Sequence, residues 1–184
     1  MRKRRSNLFL LAAGYWLIAT LSGCGYTTRS AVSNQYRTVY IAPFLNKVDI
    51  TRESDVGSKY RIYRPGLETD VTNAVAKKFL WDGNLKPVKT EDANLVLKGE
   101  LIEFRKDPLR YDNNENVEEF RINIVVNMSM YDRKNDKMLW QESGFTGEQS
   151  YFVSGTQAIS EAQAITNAIN DLARRIVERT VEQW

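Results

Sequence analysis

The chain has 184 residues, no histidine and a single cysteine, and its formal net charge is +3. Without histidine, Ser-His-Asp and Cys-His catalytic sites and HExxH zinc sites are excluded. One cysteine cannot form an internal disulfide, so packing alone must hold the fold together. The length suits one domain with a substantial core.

The N-terminus has the layout of a secretory signal peptide. "MRKRR" supplies four positive charges, an apolar stretch runs from Leu8 to Leu21, and small residues precede Cys24. The apolar stretch is shorter than the ~20 residues that span a bilayer. "LSGC" resembles the bacterial lipobox, which directs acylation of the cysteine and cleavage before it. We predict a cleaved signal peptide at residues 1–23 and lipid attachment at Cys24. The alternatives are an uncleaved anchor helix or an ordinary signal peptide with a chance cysteine.

Cleavage and acylation change what the charge and the location imply. The four leading basic residues leave with the signal peptide, so the net charge falls from +3 to −1 and gives no argument for nucleic acid binding. Several acyl chains, palmitate among them, anchor a protein nearly permanently. Gly25 stands where an aspartate would, by resemblance to enterobacterial sorting rules, retain the protein at the inner membrane. We therefore expect the periplasmic leaflet of the outer membrane, with residues 24–37 as acylated N-terminus and short tether.

The first half of the domain predicts two strands and a helix. "TVYIAPF" (Thr38–Phe44) is β-branched and aromatic, as strands are. Residues 48–64 predict either a mobile loop or a small hairpin. After Pro65-Gly66, apolar residues at helical spacing from Leu67 to Phe79 predict a helix that "WDGN" ends. "ANLVLKGELIEF" reads as the next strand, and Gly99 marks a possible bulge because the apolar phase shifts after it.

The second half predicts a hairpin and a closing helix. Alternation from Phe120 to Tyr131 puts apolar side chains on one face and polar ones, including Arg121, on the other. "DRKNDK" makes a tight turn into a third long strand. Ser160 and Gln163 resemble a capping box ahead of a long helix. We predict one α+β domain at residues 38–184, a two-layer sandwich of a mainly antiparallel four-stranded sheet with two amphipathic helices on one face.

The sequence favours no enzymatic chemistry. Phosphate-binding motifs of the GxxxxGK[ST] or GxGxxG type are absent. Acidic pairs such as Glu118 with Glu119 fall at strand ends, where charge discourages edge-to-edge aggregation. A hydrolase built on two carboxylates stays an open alternative, but nothing favours it. We predict no enzyme activity, no cofactor and no metal.

Six stretches of the chain carry a resemblance when they are taken in order. They are "GCGY", "VYIAPFLNK", "GLETDVTNAVAKKF", the run from "ANLVLKGEL" through "PLRYD" to "YDRKNDKMLWQE", "FTGEQSY" and "LARRIVERTVEQW". Together they resemble the LptE family, the lipopolysaccharide-assembly lipoproteins of the Gram-negative outer membrane. The 48–64 insert looks longer than the family's usual link between first strand and first helix. The resemblance implies a plug inside the LptD β-barrel that assists barrel folding and takes part in lipopolysaccharide transport. The alternative is a lipoprotein that activates or scaffolds a periplasmic cell-wall enzyme.

Basic residues at strand connections are the candidate contacts. Lipid A phosphates call for Arg and Lys donors. Two clusters qualify by charge and placement alone, with Arg121 on the polar sheet face as a further candidate contact with the barrel. The clusters are Arg105, Lys106 and Arg110 around Pro108, and Arg133, Lys134 and Lys137 in the "DRKNDK" turn. Solvated surface charge is an equally good reading of them. The clusters lie at opposite ends of the central strand or, depending on register, on one edge.

Overall fold

The computed structural model describes residues 35–48, 64–90 and 92–182. Cys24 and most of the 48–64 insert lie outside these ranges. In chain order the elements are β1 (Thr38–Ile41), β2 (Leu45–Asn46), α1 (Leu67–Asp82), β3 (Lys86–Val88), β4 (Leu95–Tyr111), β5 (Val117–Asp132), β6 (Lys137–Phe152) and α2 (Glu161–Glu182).

The sheet is mixed and six-stranded, so the prediction of four strands is wrong in number, and short parallel pairings join the predicted antiparallel ones. The strands lie in the order β3-β1-β4-β5-β6, and β2 pairs with the same side of β4 as β1. β1 pairs in parallel with both β3 and β4, because α1 crosses over between β1 and β3. β4, β5 and β6 are antiparallel, as predicted. β2 and β3 have two and three residues, too few for a periodic pattern.

The phase shift in β4 arises at Ile102, so the predicted bulge at Gly99 is wrong. The register slips between Leu101 and Glu103, while Gly99 pairs regularly with Met128. Gly99 has a steric role instead. A Cβ on it would lie 2.2 Å from the Phe44 ring, which folds under the sheet between β1 and β2. The missing side chain therefore makes room for Phe44 in the core.

Both helices cover one face of the sheet, as predicted. Their buried residues join the inward residues of the strands in one core. In α1 these are Leu67, Val71, Val75 and Phe79. In α2 they form one stripe along the helix: Ile165, Ala168, Ile169, Leu172, Ile176 and Val177. Neither described helix is both long and apolar enough to cross a membrane.

α2 begins at the predicted cap and lies very close to the sheet. The backbone N–H of Gln163 donates to Ser160 Oγ at 3.2 Å, while the Gln163 side chain donates onward to Asn167. Halfway along, Gly147 of β6 faces Leu172. A Cβ on Gly147 would lie 2.3 Å from the Leu172 Cβ and 2.6 Å from its Cα, so only glycine permits this approach.

Candidate functional site

The sheet face opposite the helices carries a connected polar network. Arg105 donates from Nε to Asp107 at 2.8 Å and from Nη1 to Glu103 at 3.3 Å. Asn123, which is 5% exposed, donates to the same Asp107 carboxylate at 2.8 Å. Burial by itself would lower the pKa of Arg105, but the bonds to Asp107 and Glu103 raise it. The positive charge on this face is therefore matched by neighbouring carboxylates.

Arg121 and Arg110 extend this paired surface toward the β4–β5 hairpin. Arg121 Nε lies 3.4 Å from Ser150 Oγ, and its Nη1 lies 3.8 Å from Glu148. Arg110 lies 3.7 Å from Glu119 and over the Phe152 ring. Both guanidinium groups stay partly exposed, so these ion pairs are weak and exchangeable. An incoming acidic or polar partner can replace the present carboxylates at little cost.

Lys106 lies on the helix side of the sheet, apart from Arg105 and Arg110. It pairs with Ile122 across β5, its ammonium contacts the Glu161 carboxylate, and it sits 4.3 Å from the centre of the Phe120 ring. Burial alone would lower the pKa of Lys106, but its hydrogen bond to Glu161 raises it. Lys106 thus links the start of α2 to the sheet.

The turn between β5 and β6 is built around the Asp132 carboxylate. Asp132 is 2% exposed and accepts the backbone N–H of Lys134 at 2.9 Å, the side-chain amide of Asn135 at 2.6 Å and the Tyr36 hydroxyl at 2.9 Å. Burial would raise the pKa of Asp132, but these hydrogen bonds outweigh it and hold the pKa below its ordinary value. These hydrogen bonds engage both oxygens of the carboxylate, and among the described residues it forms no ion pair with Arg133, Lys134 or Lys137.

Arg133, Lys134 and Lys137, here called the basic turn, are all exposed. Within the described ranges, none of the three has an acidic side chain within ion-pair distance. Arg105 pairs with Asn123 across β4 and β5. Arg133 lies ten positions after Asn123, a distance of roughly 33 Å at the rise of a strand. The structure therefore places the two predicted clusters at opposite ends of β5, and of the seven residues it brings only Arg105, Arg110 and Arg121 onto one face.

Sequence reasoning missed a groove of about 430 Å³ on the same open face. It forms where the chain leaves the sheet between β1 and β2, which exposes the side of β4. Lys98, Glu100, Asn127, Ser129 and Tyr131 line it, and Lys98 Nζ lies 4.9 Å from the centre of the Tyr131 ring. The alternating pattern of "LVLKGEL" places Lys98 outward, but only the strand pairing reveals the groove.

The described residues contain no arrangement typical of hydrolytic or metal-dependent chemistry. Within residues 35–48, 64–90 and 92–182, no three metal-ligating side chains come together. Among the carboxyl groups of the same ranges, resolved pKa shifts occur at Asp112 and Asp132, and both are downward. The geometry instead suits a surface that binds polar partners.

Comparison with known proteins gives a family and a fold. The family model described as LptE, lipopolysaccharide-assembly, matches residues 36–180. Among solved structures, protein XCC0632 from Xanthomonas campestris is 13% identical with a TM-score of 0.52, covering 80% of this chain and 85% of that one. The hypothetical protein CT253 from Chlamydia trachomatis is 14% identical with a TM-score of 0.51, covering 79% and 95%. Both support the α+β fold. Comparison with curated proteins gives no significant match.

Proposed function

The chain belongs to the LptE lipopolysaccharide-assembly family, and on this basis we propose that it is an outer-membrane lipoprotein that plugs the LptD β-barrel. In this role it assists folding of the barrel and takes part in transport of lipopolysaccharide to the outer surface. It performs no catalysis. A signal peptide at residues 1–23 directs export, and acyl chains on Cys24 hold the protein at the periplasmic leaflet through the 24–37 tether.

The observation that carries the plug proposal is the polar, helix-free face of the sheet. A sheet face left uncovered by helices in an isolated domain needs either water or a polar partner. Its charged groups, such as Arg105 with Asp107 and Arg121 with Glu148, are already matched and nearly balanced. Such a surface fits the water-lined interior of a wide barrel, where polar groups meet polar groups and no large apolar area must be covered.

The basic turn is the better of the two clusters for lipopolysaccharide phosphates. Its cations are exposed and unpaired among the described residues, so they lose no existing ion pair on binding phosphate. Arg133 supplies a fork that grips phosphate at two points, while Lys134 and Lys137 add charge. Arg105, Arg110 and Arg121 suit contact with the barrel wall. Lys106 is paired with Glu161 at the start of α2, so it suits a structural role better than contact with a partner.

Pull-down from detergent-solubilised outer membranes tests the barrel partnership. A C-terminally tagged chain should recover LptD in near-equal amount, identified by mass spectrometry. Arg121→Glu should lower that ratio severalfold, because it places like charge beside Glu148 and any acidic group of the barrel. Arg174→Glu, the same substitution at an exposed arginine of α2 that is likewise paired with carboxylates, is the matched control and should recover LptD normally.

Other outcomes separate the competing functions. Recovery of a cell-wall synthase instead of a barrel would support the activator or scaffold alternative. Recovery of LptD at the same level with Arg121→Glu as with the control would show that the open face is not the interface. Charge reversal across the basic turn should leave LptD recovery unchanged and reduce the lipopolysaccharide that co-purifies.

A further inference from the structure

The end of the domain where the described chain begins is fixed by a chain of hydrogen bonds. The backbone N–H groups of Arg37 and Thr38 both donate to the side chain of Asn94. The Asn94 carbonyl accepts the backbone N–H of Arg133, and the Arg37 carbonyl accepts that of Lys86. The start of β1, the start of β3 and the basic turn therefore meet at one end of the sheet, here called the N-terminal end.

The last turn of α1 lies at this same end and exposes two large apolar side chains. α1 crosses back so that β3 can run parallel to β1, so its C-terminus precedes β3 closely. Trp81 and Lys86 are five positions apart, a span of roughly 18 Å at most. Leu80 is 66% exposed and Trp81 is 78% exposed. They are adjacent, and the helix ends one residue later at Asp82, with the Gly83 N–H bonded to the Phe79 carbonyl.

Cations surround this apolar pair. Lys77 and Lys78 precede it by one turn, and Lys77, Trp81 and Arg174 line a groove of about 620 Å³ between the helices. In the described ranges Lys77, Lys78 and Lys86 have no acidic side chain within ion-pair distance. Arg174 is held by Asp171 at 2.6 Å and by Glu178 at 2.7 Å, so the free charge belongs to the lysines.

The N-terminal end thus combines seven basic side chains with exposed Leu80 and Trp81. The seven are Arg37, Lys77, Lys78, Lys86, Arg133, Lys134 and Lys137, and the exposed acidic residues among them are Asp82, Asp92 and Asp136. The opposite end, residues 109–119 at the β4–β5 hairpin, carries Asp112, Glu115, Glu118 and Glu119 with Arg110 as its one basic residue. The charge of the domain is therefore polarised along the strands.

We propose that the N-terminal end, through Leu80, Trp81 and the surrounding lysines, docks onto the surface of an anionic phospholipid bilayer. Tryptophan prefers the headgroup region, where its ring meets apolar chains and its N–H meets water. Lysine stems lie along apolar surface while their ammonium groups reach anionic headgroups. The matched occupant is a surface that is both apolar and negatively charged, and a phospholipid leaflet supplies both.

The proposed acyl anchor puts such a surface within reach, and for this step the inference rests on the proposed function. From Cys24 to Gln35 the chain spans roughly 40 Å at most. The tethered end of the domain is also the end that carries the patch, so the tether lets the patch reach the leaflet that holds the acyl chains. Docking there would fix the orientation of the domain beneath the membrane before any barrel is engaged.

The test uses tryptophan emission of the full acylated chain in vesicles that contain brominated phospholipid, which quenches only tryptophans at membrane depth. Acylation is first verified by mass spectrometry and vesicle association by flotation. In equal parts phosphatidylglycerol and phosphatidylethanolamine we expect quenching that Trp81→Phe removes. The double variant Lys77→Glu with Lys78→Glu should lower the ratio of docked to undocked protein by roughly thirtyfold or more, because each cation near an anionic surface contributes. Phosphatidylcholine vesicles and high salt should weaken quenching in the same direction.

The control variant is Asn113→Glu with Asn114→Glu, which adds negative charge at the opposite end and should leave quenching unchanged; circular dichroism verifies that each variant is folded. An acylated chain that floats without Trp81 quenching overturns docking and leaves the anchor intact. A chain that floats and is quenched without acylation supports docking and removes the anchor proposal. A chain that does not associate with the vesicles at all would overturn both the docking proposal and the anchor proposal. Quenching that appears only after lipopolysaccharide is added would reassign the patch to that lipid and overturn the phospholipid assignment.

Discussion

Replacement of Gly147 by alanine is expected to strain the packing of α2 on the sheet. The added Cβ would lie 2.3 Å from the Leu172 Cβ, 2.6 Å from its Cα and 2.7 Å from its backbone nitrogen. Ordinary contact between such atoms is roughly 3.5–4.0 Å, so the helix and strand must separate by about 1 Å or more. A side-chain rotation cannot relieve the overlap, because two of the three contacts are to helix backbone.

Two opposing effects set the magnitude. Overpacking of a core costs about 1–3 kcal/mol, whereas alanine lowers the conformational entropy of the unfolded chain and returns about 0.4–1 kcal/mol. We expect a net loss of about 1–2 kcal/mol in the free energy of unfolding. For a domain of this size that corresponds to a fall in Tm of roughly 2–8 °C. Urea unfolding followed by far-UV circular dichroism measures the first quantity and a thermal scan the second.

The matched control is Ser143→Ala on the same strand, where the side chain is exposed and the change should stay within about 0.5 kcal/mol. Adding Leu172→Ala to Gly147→Ala should not restore stability, because the Leu172 Cβ and backbone remain in place. If Gly147→Ala unfolds at the same urea concentration as the control, the close approach of α2 to β6 is refuted. Rescue by Leu172→Ala would show that only the end of the side chain is in contact.

Three further changes probe the core, the turn and the anchor. Gly99→Ala should destabilise the fold by about 1–3 kcal/mol through its overlap with Phe44, and adding it to Phe44→Ala should cost much less in a urea double-mutant cycle; equal costs in both backgrounds would contradict the contact. Tyr36→Phe should lower stability by about 1–2 kcal/mol at neutral pH, because it removes a hydrogen bond that helps hold the pKa of Asp132 down. A carboxylate whose pKa is lowered by folding stabilises the folded state above its unfolded pKa of about 3.9, and this stabilisation is lost as the pH falls through the folded pKa. The difference in unfolding free energy between wild type and Tyr36→Phe should therefore narrow in acid, and a constant difference across pH would argue against the bond. Cys24→Ser should move the folded protein to the soluble periplasmic fraction, and persistence in carbonate-washed membranes from cells that lack LptD would count against acylation.

Local pattern determined the faces of the secondary structure correctly. The apolar stripe of α2 and the alternation of β5 follow from periods of 3.6 and 2 residues, which need no partner to be recognised. Ser160 as a cap and the tight turn after Asp132 are likewise local, since each is made by hydrogen bonds between residues a few positions apart. From these features the sequence predicted an α+β sandwich with one face polar and unpacked.

Pairing between distant segments was decided by the tertiary structure alone. A two-residue strand such as β2 has no period to detect, and the parallel contact of β1 with β4 depends on a helix crossing between them. Gly99 could mark a bulge or a steric gap until Phe44 is seen beneath it. Lys106 belongs with its basic neighbours in sequence, but the register slip at Ile102 turns it toward Glu161. Charge, spacing and periodicity therefore predicted which segments are helices and strands and which residues are basic. Long-range register decided which of those charges are paired, and which of the unpaired ones lie at the end of the sheet where the described chain begins.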